Sequence, residues 1–498
     1  MIDFASDKGD AALTRRAFTL LDAFEKRDLT TKQSVLLHYF RSNAWENRLR
    51  ENAKKQSWDW DIEEIQNQIL HLRIAARHEG FEELEEVWRC SILTNLANTL
   101  NSVGRVIEAI EIWDRVLCLE KRFAMALANR GLGFSYYARS VYDQGHAYML
   151  QLAAADSYAE ASSPEAVFES VHNAVLSDQF KKSYEQIAAQ LDLDSARENL
   201  NSTEFSLGDT PKECAYREWV LRNRLFLNPL NDIGAKNIAA QDILTLPSMT
   251  FAFDEYEGPN PPPVIGFYNQ LKQEFVSARY IFYEGAELGS GFDTAHFSDK
   301  DVALYNTLDY PSYALAVEKV RLAYRMGYSL FDKIAFFINH YMQVGWADDK
   351  VNFRNVWYRF KKDRTKELRP IFKGRENLAL RGLFWLSKDI FAPEFKKVME
   401  PEAESLAEIR NFLEHKYFQV HESWALAGGL QDHLEGSPGY HISRNEFEAK
   451  TLRVLKLARS ALIYLSLAVY REEQMRHADK DGLVASMPLS RWDDEWKV

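Results

Sequence analysis

The stretch EIRNFLEHKYF, late in the chain, holds polar side chains at spacings that suit catalysis. On a helical wheel of about 100° per residue, Arg410, Glu414 and Tyr417 form one stripe. Asn411 and His415 form a second stripe beside it. The polar groups therefore border the apolar face of the predicted helix. An ordinary charged helix surface would show the same residue types, so the surrounding elements must distinguish the two interpretations.

Such a set of side chains suits the cleavage of a phosphodiester in RNA. A histidine with a pKa near neutrality can remove or donate a proton. An arginine can stabilise the added negative charge of a pentacoordinate phosphate, and a side-chain amide can orient the scissile group. RNA supplies its own nucleophile, the 2′-hydroxyl, so the reaction needs no metal ion or other cofactor. The sequence shows no convincing cluster of metal ligands.

The spacing of the arginine and the histidine predicts a dimer. Arg410 and His415 lie about 140° apart around a helix axis, so one helix does not aim both at one phosphate. Two such helices packed about a twofold axis bring two arginines and two histidines into one cleft. We therefore expect a homodimer with a composite site.

A second segment, residues 352–375, combines basic and aromatic side chains within an acidic protein. Basic side chains contact phosphates, and aromatic rings stack on unpaired bases. The alternative is a solvated charged helix whose aromatic residues face the core. The candidates for RNA contact are Arg354, Trp357, Arg359, Lys361, Lys362 and Arg364.

Helical periodicity dominates the chain, so the fold is predicted to be all-α. Residues 270–286 read as a docking helix. Four further helices are predicted to form a bundle, at 312–342, 378–391, 403–424 and 448–474. The third of these carries the polar stretch described above, with its core face at Leu406, Ile409, Leu413 and Val420.

The N-terminal part shows an internal repeat. TNLANTLNSVG at 94–104 is answered by ANRGLGFSYYA at 128–138, a period of 34 residues that is typical of tetratricopeptide (TPR) repeats. Ala109 and Trp113 are predicted to pack between paired helices. A generic pair of helical hairpins is the alternative. Repeat arrays present a curved surface that suits a protein or peptide partner.

Proline and glycine mark the main boundary. We predict a TPR-like region at 1–243, a Pro-rich linker at 244–267, a helical bundle at 268–476 and a polar tail at 477–498. Bulk properties agree with a soluble, cytoplasmic protein. The net charge of −12 argues against a broad nucleic-acid-coating surface, the three cysteines suggest no disulfide or zinc framework, and no membrane span is expected.

The motif and its bundle resemble the HEPN superfamily, whose ribonucleases carry an R-x(4–6)-H motif, often with Asn after the Arg. Here the motif reads R-N-F-L-E-H, followed by K-Y as in the R-x4-H-x-Y toxins. The resemblance implies that Arg410 and His415 are catalytic with Asn411 in support. Tyr417 matches a tyrosine that is modified in those toxins, and Glu414 lies beside it as a further supporting candidate.

This architecture resembles prokaryotic defence or toxin effectors. The resemblance implies an endoribonuclease whose TPR-like region senses a partner. The alternative is a non-catalytic TPR scaffold or sensor, with the bundle as a dimerisation or nucleotide-binding module.

Overall fold

The computed structural model is helical almost throughout, which confirms the all-α prediction. It describes the chain with the exception of residues 1, 53–57, 171–172, 203–204, 251–262, 288–294, 362–365, 392–408, 411, 414–415, 423–438, 479–487 and 498.

The N-terminal region is a succession of helices that pack on their neighbours in sequence. Its helices are α1 Ile2–Lys8, α2 Ala11–Glu25, α3 Thr31–Asn52, α4 Glu63–Arg77, α5 Glu86–Ser102, α6 Val106–Leu119, α7 Ala124–Ser140, α8 Gln144–Ala161, α9 Ser177–Ala188, α10 Leu193–Ser202 and α11 Pro211–Arg222.

The predicted repeat corresponds to two helix pairs, α5 with α6 and α7 with α8. As predicted, Ala109 and Trp113 are buried. A Cβ atom at Gly133 would lie 2.6 Å from the Trp113 ring, so the absence of a side chain there allows the close approach of α6 and α7. The first helices of the two pairs begin at Glu86 and Ala124, a wider spacing than the predicted 34 residues. The region is therefore consistent with repeats of a longer period.

Four long helices form the C-terminal bundle. They are α12 Pro263–Ala286, α13 Leu315–Tyr341, α14 Leu378–Phe391 and α15 Arg444–Ala478. α15 packs on all three of the others, and the Tyr268 hydroxyl of α12 donates to the carbonyl of Leu462 on α15 at 3.1 Å. The helix predicted only to dock, α12, is thus a full member of the bundle.

The predicted helix at 403–424 is wrong in its C-terminal part. Residues 418–421 form strand β3 (Phe418–His421), which pairs in parallel with β4 (Tyr440–Ser443). An antiparallel bridge joins His421 to Pro311, and the Ser312 amide donates to the Val420 carbonyl at 2.7 Å. Pairing on both sides of β3 satisfies backbone N–H and C=O groups of these residues. Val420 is buried as predicted, but it belongs to a strand and not to a helix.

The N-terminal helices and the bundle share one continuous hydrophobic core. α14 is buried on every side from Leu380 to Ile390, because the N-terminal helices cover the face that the bundle leaves. The predicted linker at 244–267 begins within this packing: Leu244 is buried, and the Ser466 hydroxyl donates to the Thr245 carbonyl at 2.6 Å. The four predicted segment boundaries remain predictions.

A buried carboxylate on α14 joins the two parts. Asp389 receives two hydrogen bonds from Arg73 of α4, at 2.7 and 2.8 Å, and a further one from Arg105, which precedes α6. Burial opposes ionisation of Asp389, but the charges of Arg105 and Arg73 outweigh it and hold the pKa of the carboxyl well below its usual range. Asp389 is therefore ionised and saturated with donors.

α15 contributes three more polar contacts to the N-terminal region. Arg459 pairs with Asp232 at 2.6 Å, and Lys456 pairs with Glu111 at 2.5 Å. The Tyr464 hydroxyl donates to Glu108, which also holds Arg105. Arg459, Asp232 and Glu108 are buried, and buried charges are costly unless matched, so these contacts fix one relative position of the two parts.

We expect the substitution Asp389→Asn to destabilise the fold by about 3–5 kcal/mol, because it removes the buried counter-charge that Arg73 and Arg105 share. Urea unfolding at neutral pH measures this loss. The folded-state pKa is lowered, so the contribution is present above the ordinary carboxyl pKa of about 3.9 and disappears as the pH falls through the folded-state value.

The matched control is Glu82→Gln, which removes an exposed carboxylate from Arg89. Its cost should stay within about 1 kcal/mol. Equal stability of the Asp389→Asn and Glu82→Gln proteins would contradict the assigned role of the buried pair.

Candidate functional site

The stretch that carries Arg410 is anchored as predicted through its apolar residues. Ile409 and Leu413 are buried, and the Phe412 ring packs on Tyr440 of β4 with centroids 5.5 Å apart. The Lys416 amide donates to the Phe412 carbonyl at 3.0 Å, a helical i to i−4 bond. Among the described residues of this stretch, Ile409, Arg410, Phe412 and Leu413 are helical, and β3 begins at Phe418.

Arg410 is half-buried against α13. Its guanidinium lies over the Tyr328 ring, 5.9 Å from the centroid, which is a cation–π contact. Burial raises the pKa of Asp332, one turn further along α13, while the Phe353 amide and the charge of Arg410 act in the opposite direction. The aromatic ring and the nearby carboxyl thus hold the positive charge of Arg410 at a defined place.

Two arginines of α13 hold the backbone of the same stretch. Arg325 donates to the carbonyl of Leu413, and Arg321 donates to the carbonyl of Phe418 at 3.0 Å. The Arg321 guanidinium also lies 5.6 Å from the centre of the Phe418 ring. Neither arginine was predicted as a site residue, although their i, i+4 spacing on a long amphipathic helix was a usable signal.

Two histidines lie on the small sheet that follows. His421 is buried, with Nδ1 at 2.8 Å from the Asp309 carbonyl and Nε2 at 3.0 Å from Nδ1 of His441. A carbonyl only accepts, so Nδ1 of His421 donates and its Nε2 accepts when the ring is neutral. Nδ1 of His441 is then the donor, and its Nε2 carries no hydrogen. Burial and the charge of His421 lower the pKa of His441, which favours this neutral state.

Tyr417 lies between the helical turn and β3 and is half exposed. Its carbonyl accepts a hydrogen bond from the Tyr440 amide at 3.0 Å. Burial raises the pKa of its hydroxyl, and the neighbouring Tyr313 and Asp309 raise it further. Tyr417 is therefore protonated at neutral pH and faces solvent beside Arg410's turn.

The remaining predicted residues of the motif fall outside the described part of the chain. They are Asn411, Glu414 and His415. The structure thus shows where Arg410 and Tyr417 lie, and the catalytic pairing of Arg410 with His415 stays a prediction.

The basic segment is a β-hairpin and not a helix. Its strands are β1 (Tyr358–Phe360) and β2 (Lys366–Leu368). Glu367 accepts from Arg359 at 2.9 Å and Lys373 at 2.5 Å, with Lys361 at 3.6 Å. The hydrogen bonds from Lys373 and Arg359 lower the pKa of Glu367 to about 2. On this hairpin surface three cationic side chains therefore surround one carboxylate, which neutralises only part of their charge.

The prediction that Trp357 contacts RNA is wrong. Its side chain is fully buried against Trp60, Phe372 and Phe384, and its Nε1 donates to the Phe353 carbonyl at 2.9 Å. A ring enclosed in this way has no face for a base. Arg354 and Arg359 are exposed, whereas Lys362 and Arg364 lie outside the described residues.

Within the described residues, no group of three or more His, Cys, Asp or Glu side chains is arranged to hold a metal ion. No helix in that part of the chain is long and apolar enough to cross a membrane.

We expect Trp357→Ala to lower the free energy of unfolding by about 3–5 kcal/mol, because it empties the centre of an aromatic cluster. Chemical denaturation measures the change. Phe360→Ala on the same hairpin is the control: Phe360 is 53% exposed, so its removal should cost far less. A small change in the free energy of unfolding for Trp357→Ala would show that the aromatic cluster contributes little to stability.

Comparison with known proteins gives one family. Residues 256–472 match the family model described as LA2681-like HEPN. No curated protein and no solved structure matches the chain. The matched span runs from just before α12 into the last turns of α15, and it contains Arg410, β3 and β4.

Proposed function

Because residues 256–472 match the family model described as LA2681-like HEPN, we propose that the protein is a metal-independent endoribonuclease. HEPN families are mostly ribonucleases, which supports an RNA-related role. The single observation that carries the proposal is the position of Arg410, whose guanidinium is held over Tyr328 at the half-exposed edge of the bundle. A fixed positive charge at such an edge suits the stabilisation of a phosphate in the transition state.

In the proposed reaction the 2′-oxygen of the RNA forms a bond to phosphorus, and the bond from phosphorus to the 5′-oxygen breaks. His415 exchanges the proton: one leaves the 2′-hydroxyl and one reaches the departing 5′-oxygen. Arg410 stabilises the charge on the pentacoordinate phosphate, and Asn411 orients it. The products are a 2′,3′-cyclic phosphate and a 5′-hydroxyl.

The proposed site is shared between two copies of the chain. The angle between Arg410 and His415 on one helix supports a composite cleft about a twofold axis. Near this cleft, Arg354, Arg359 and Lys361 are proposed to contact the RNA, with Lys362 and Arg364. Because Glu367 neutralises part of that hairpin, an RNA phosphate must displace Arg359 or Lys361 from an existing ion pair.

We propose that the TPR-like region binds a protein or peptide partner and controls the nuclease, as in a prokaryotic defence or toxin-type effector. A chain of contacts supports this. Asp389, held by Arg73 and Arg105, lies half a turn before Phe391, whose ring packs on Tyr328 with centroids 6.4 Å apart. Tyr328 in turn underlies Arg410. A movement of α4 or α6 would thus be transmitted through Asp389, Phe391 and Tyr328 to Arg410.

Glu414 and Tyr417 are further candidates for residues that support or regulate the site.

We expect Arg410→Ala and His415→Ala each to reduce RNA cleavage by at least about a hundredfold, because each removes an interaction made in the transition state. The measurement is cleavage of tRNA, mRNA and rRNA with purified full-length protein, together with the chemistry of the 3′ ends. Circular dichroism confirms that each variant is folded.

The controls are His340→Ala and Arg16→Ala, which change an exposed histidine at the end of α13 and an exposed arginine of α2. Both should cleave like the unaltered protein. Cleavage that persists in Arg410→Ala and His415→Ala, or that leaves 3′-hydroxyl ends, contradicts the mechanism. An inert unaltered protein would instead favour the non-catalytic TPR scaffold.

The composite site predicts complementation. When inactive Arg410→Ala and His415→Ala proteins are mixed and allowed to exchange subunits, we expect activity to return, because mixed dimers regain one arginine and one histidine. Analytical ultracentrifugation reports the dimer. Full activity of a monomer at micromolar concentration would remove the composite site.

A further inference from the structure

One buried arginine differs from the others in its partners. Five arginines are buried in the part of the chain that the structure describes. Four of them are held by carboxylates, in the pairs Arg73–Asp389, Arg105–Asp389, Arg279–Asp242 and Arg459–Asp232. The fifth, Arg381 on α14, forms no ion pair with any described carboxylate, and its Nε atom is enclosed without a hydrogen-bond partner. A buried guanidinium without a counter-charge is costly, so this exception needs a physical reason.

Arg381 lies where the bundle meets the N-terminal region. It belongs to the first turn of α14, and the next residue is Gly382. A Cβ atom at Gly382 would lie 2.5 Å from the carbonyl oxygen of Gly104, in the turn between α5 and α6. Lys388, two turns further along the same face of α14, donates to Asp61 of the N-terminal region. The face of α14 that carries Arg381 is therefore covered by N-terminal residues.

The surroundings of Arg381 supply little negative charge. Burial lowers the pKa of its guanidinium to about 10, and the charge of Asp59 acts in the opposite direction without forming an ion pair. The first turn of α14 is also the positive end of the helix dipole, which disfavours a cation. A pKa of about 10 still leaves the group protonated at neutral pH. The start of α14 thus holds a positive charge that its neighbours do not compensate.

We propose that Arg381 binds a small oxyanion, the phosphate or carboxylate group of a small molecule, between α14 and the N-terminal region. A planar guanidinium offers parallel N–H donors that match two oxygens of either group. Arg381 is 6% exposed, which leaves access for such an ion and no room for a folded protein or an RNA duplex. The bound anion supplies the counter-charge that the four other buried arginines receive from Asp side chains.

The first test is thermal melting of the full-length protein in sodium phosphate, sodium acetate or sodium chloride at matched ionic strength. We expect phosphate or acetate to raise Tm by about 2–4 °C relative to chloride once the anion is in large excess over its Kd, because it binds only the folded protein. Whichever of the two anions raises Tm more identifies the group that the site prefers.

The variant Arg381→Met keeps much of the side-chain length and removes the charge. In chloride it should melt at or above the Tm of the unaltered protein, because an apolar side chain replaces an unpaired buried charge. Neither phosphate nor acetate should raise its Tm further. The matched control is Arg16→Met, which removes an exposed arginine of α2 and should keep the full response to the anion.

Isothermal titration calorimetry with inorganic phosphate and with acetate measures the affinity directly. We expect one anion per chain, and a loss of affinity of at least about tenfold in Arg381→Met, because the charge-assisted hydrogen bonds are gone. Asp59→Asn should bind the anion more tightly, since it removes the negative charge nearest the guanidinium. This second variant leaves Arg381 in place, so it tests the site independently of how Arg381→Met folds.

Four results would overturn the site. They are the absence of any response in the unaltered protein, an equal response in Arg381→Met, weaker binding by Asp59→Asn, and a large fall in the Tm of Arg381→Met in chloride. The last would show that the guanidinium already has a stabilising partner. None of these measurements uses RNA cleavage, so the anion site and the proposed ribonuclease stand or fall separately.

Discussion

The fold depends on one buried carboxylate. Asp389 lies near the end of α14, a helix covered on every side, and it is ionised only because Arg73 and Arg105 supply their charges from the N-terminal region. A carboxylate without these partners would pay a desolvation cost of several kcal/mol. The bundle and the N-terminal helices are therefore two halves of one electrostatic arrangement, and a partner that moves one half must act on the other.

Long amphipathic helices were predictable from the sequence. The predicted segments 312–342 and 378–391 correspond to Leu315–Tyr341 and Leu378–Phe391. A long apolar stripe with a period of 3.6 residues can be buried on one side only when the segment is a helix. The strand at 418–421 was not predictable in this way. Its apolar residues continue the helical spacing by chance, and only pairing with a distant segment makes the extended form stable.

At the candidate site, helical periodicity in the sequence correctly predicted which residues are buried. Ile409 and Leu413 are core as expected, and Arg410 borders them. Trp357 was misassigned because interleaved aromatic and basic residues do not reveal which face is enclosed. The contact between His421 and His441 was beyond sequence reasoning, since it arises from strand register between residues that no local pattern connects.

The contacts of α15 have a consequence for how the protein folds during its synthesis on the ribosome. Arg459, Lys456 and Tyr464 are the partners of acidic groups in the N-terminal region that are synthesised long before them. Contacts between segments so distant in sequence form late and slow folding. Asp232 and Glu111 of the N-terminal region therefore lack these cationic partners until α15 has been synthesised.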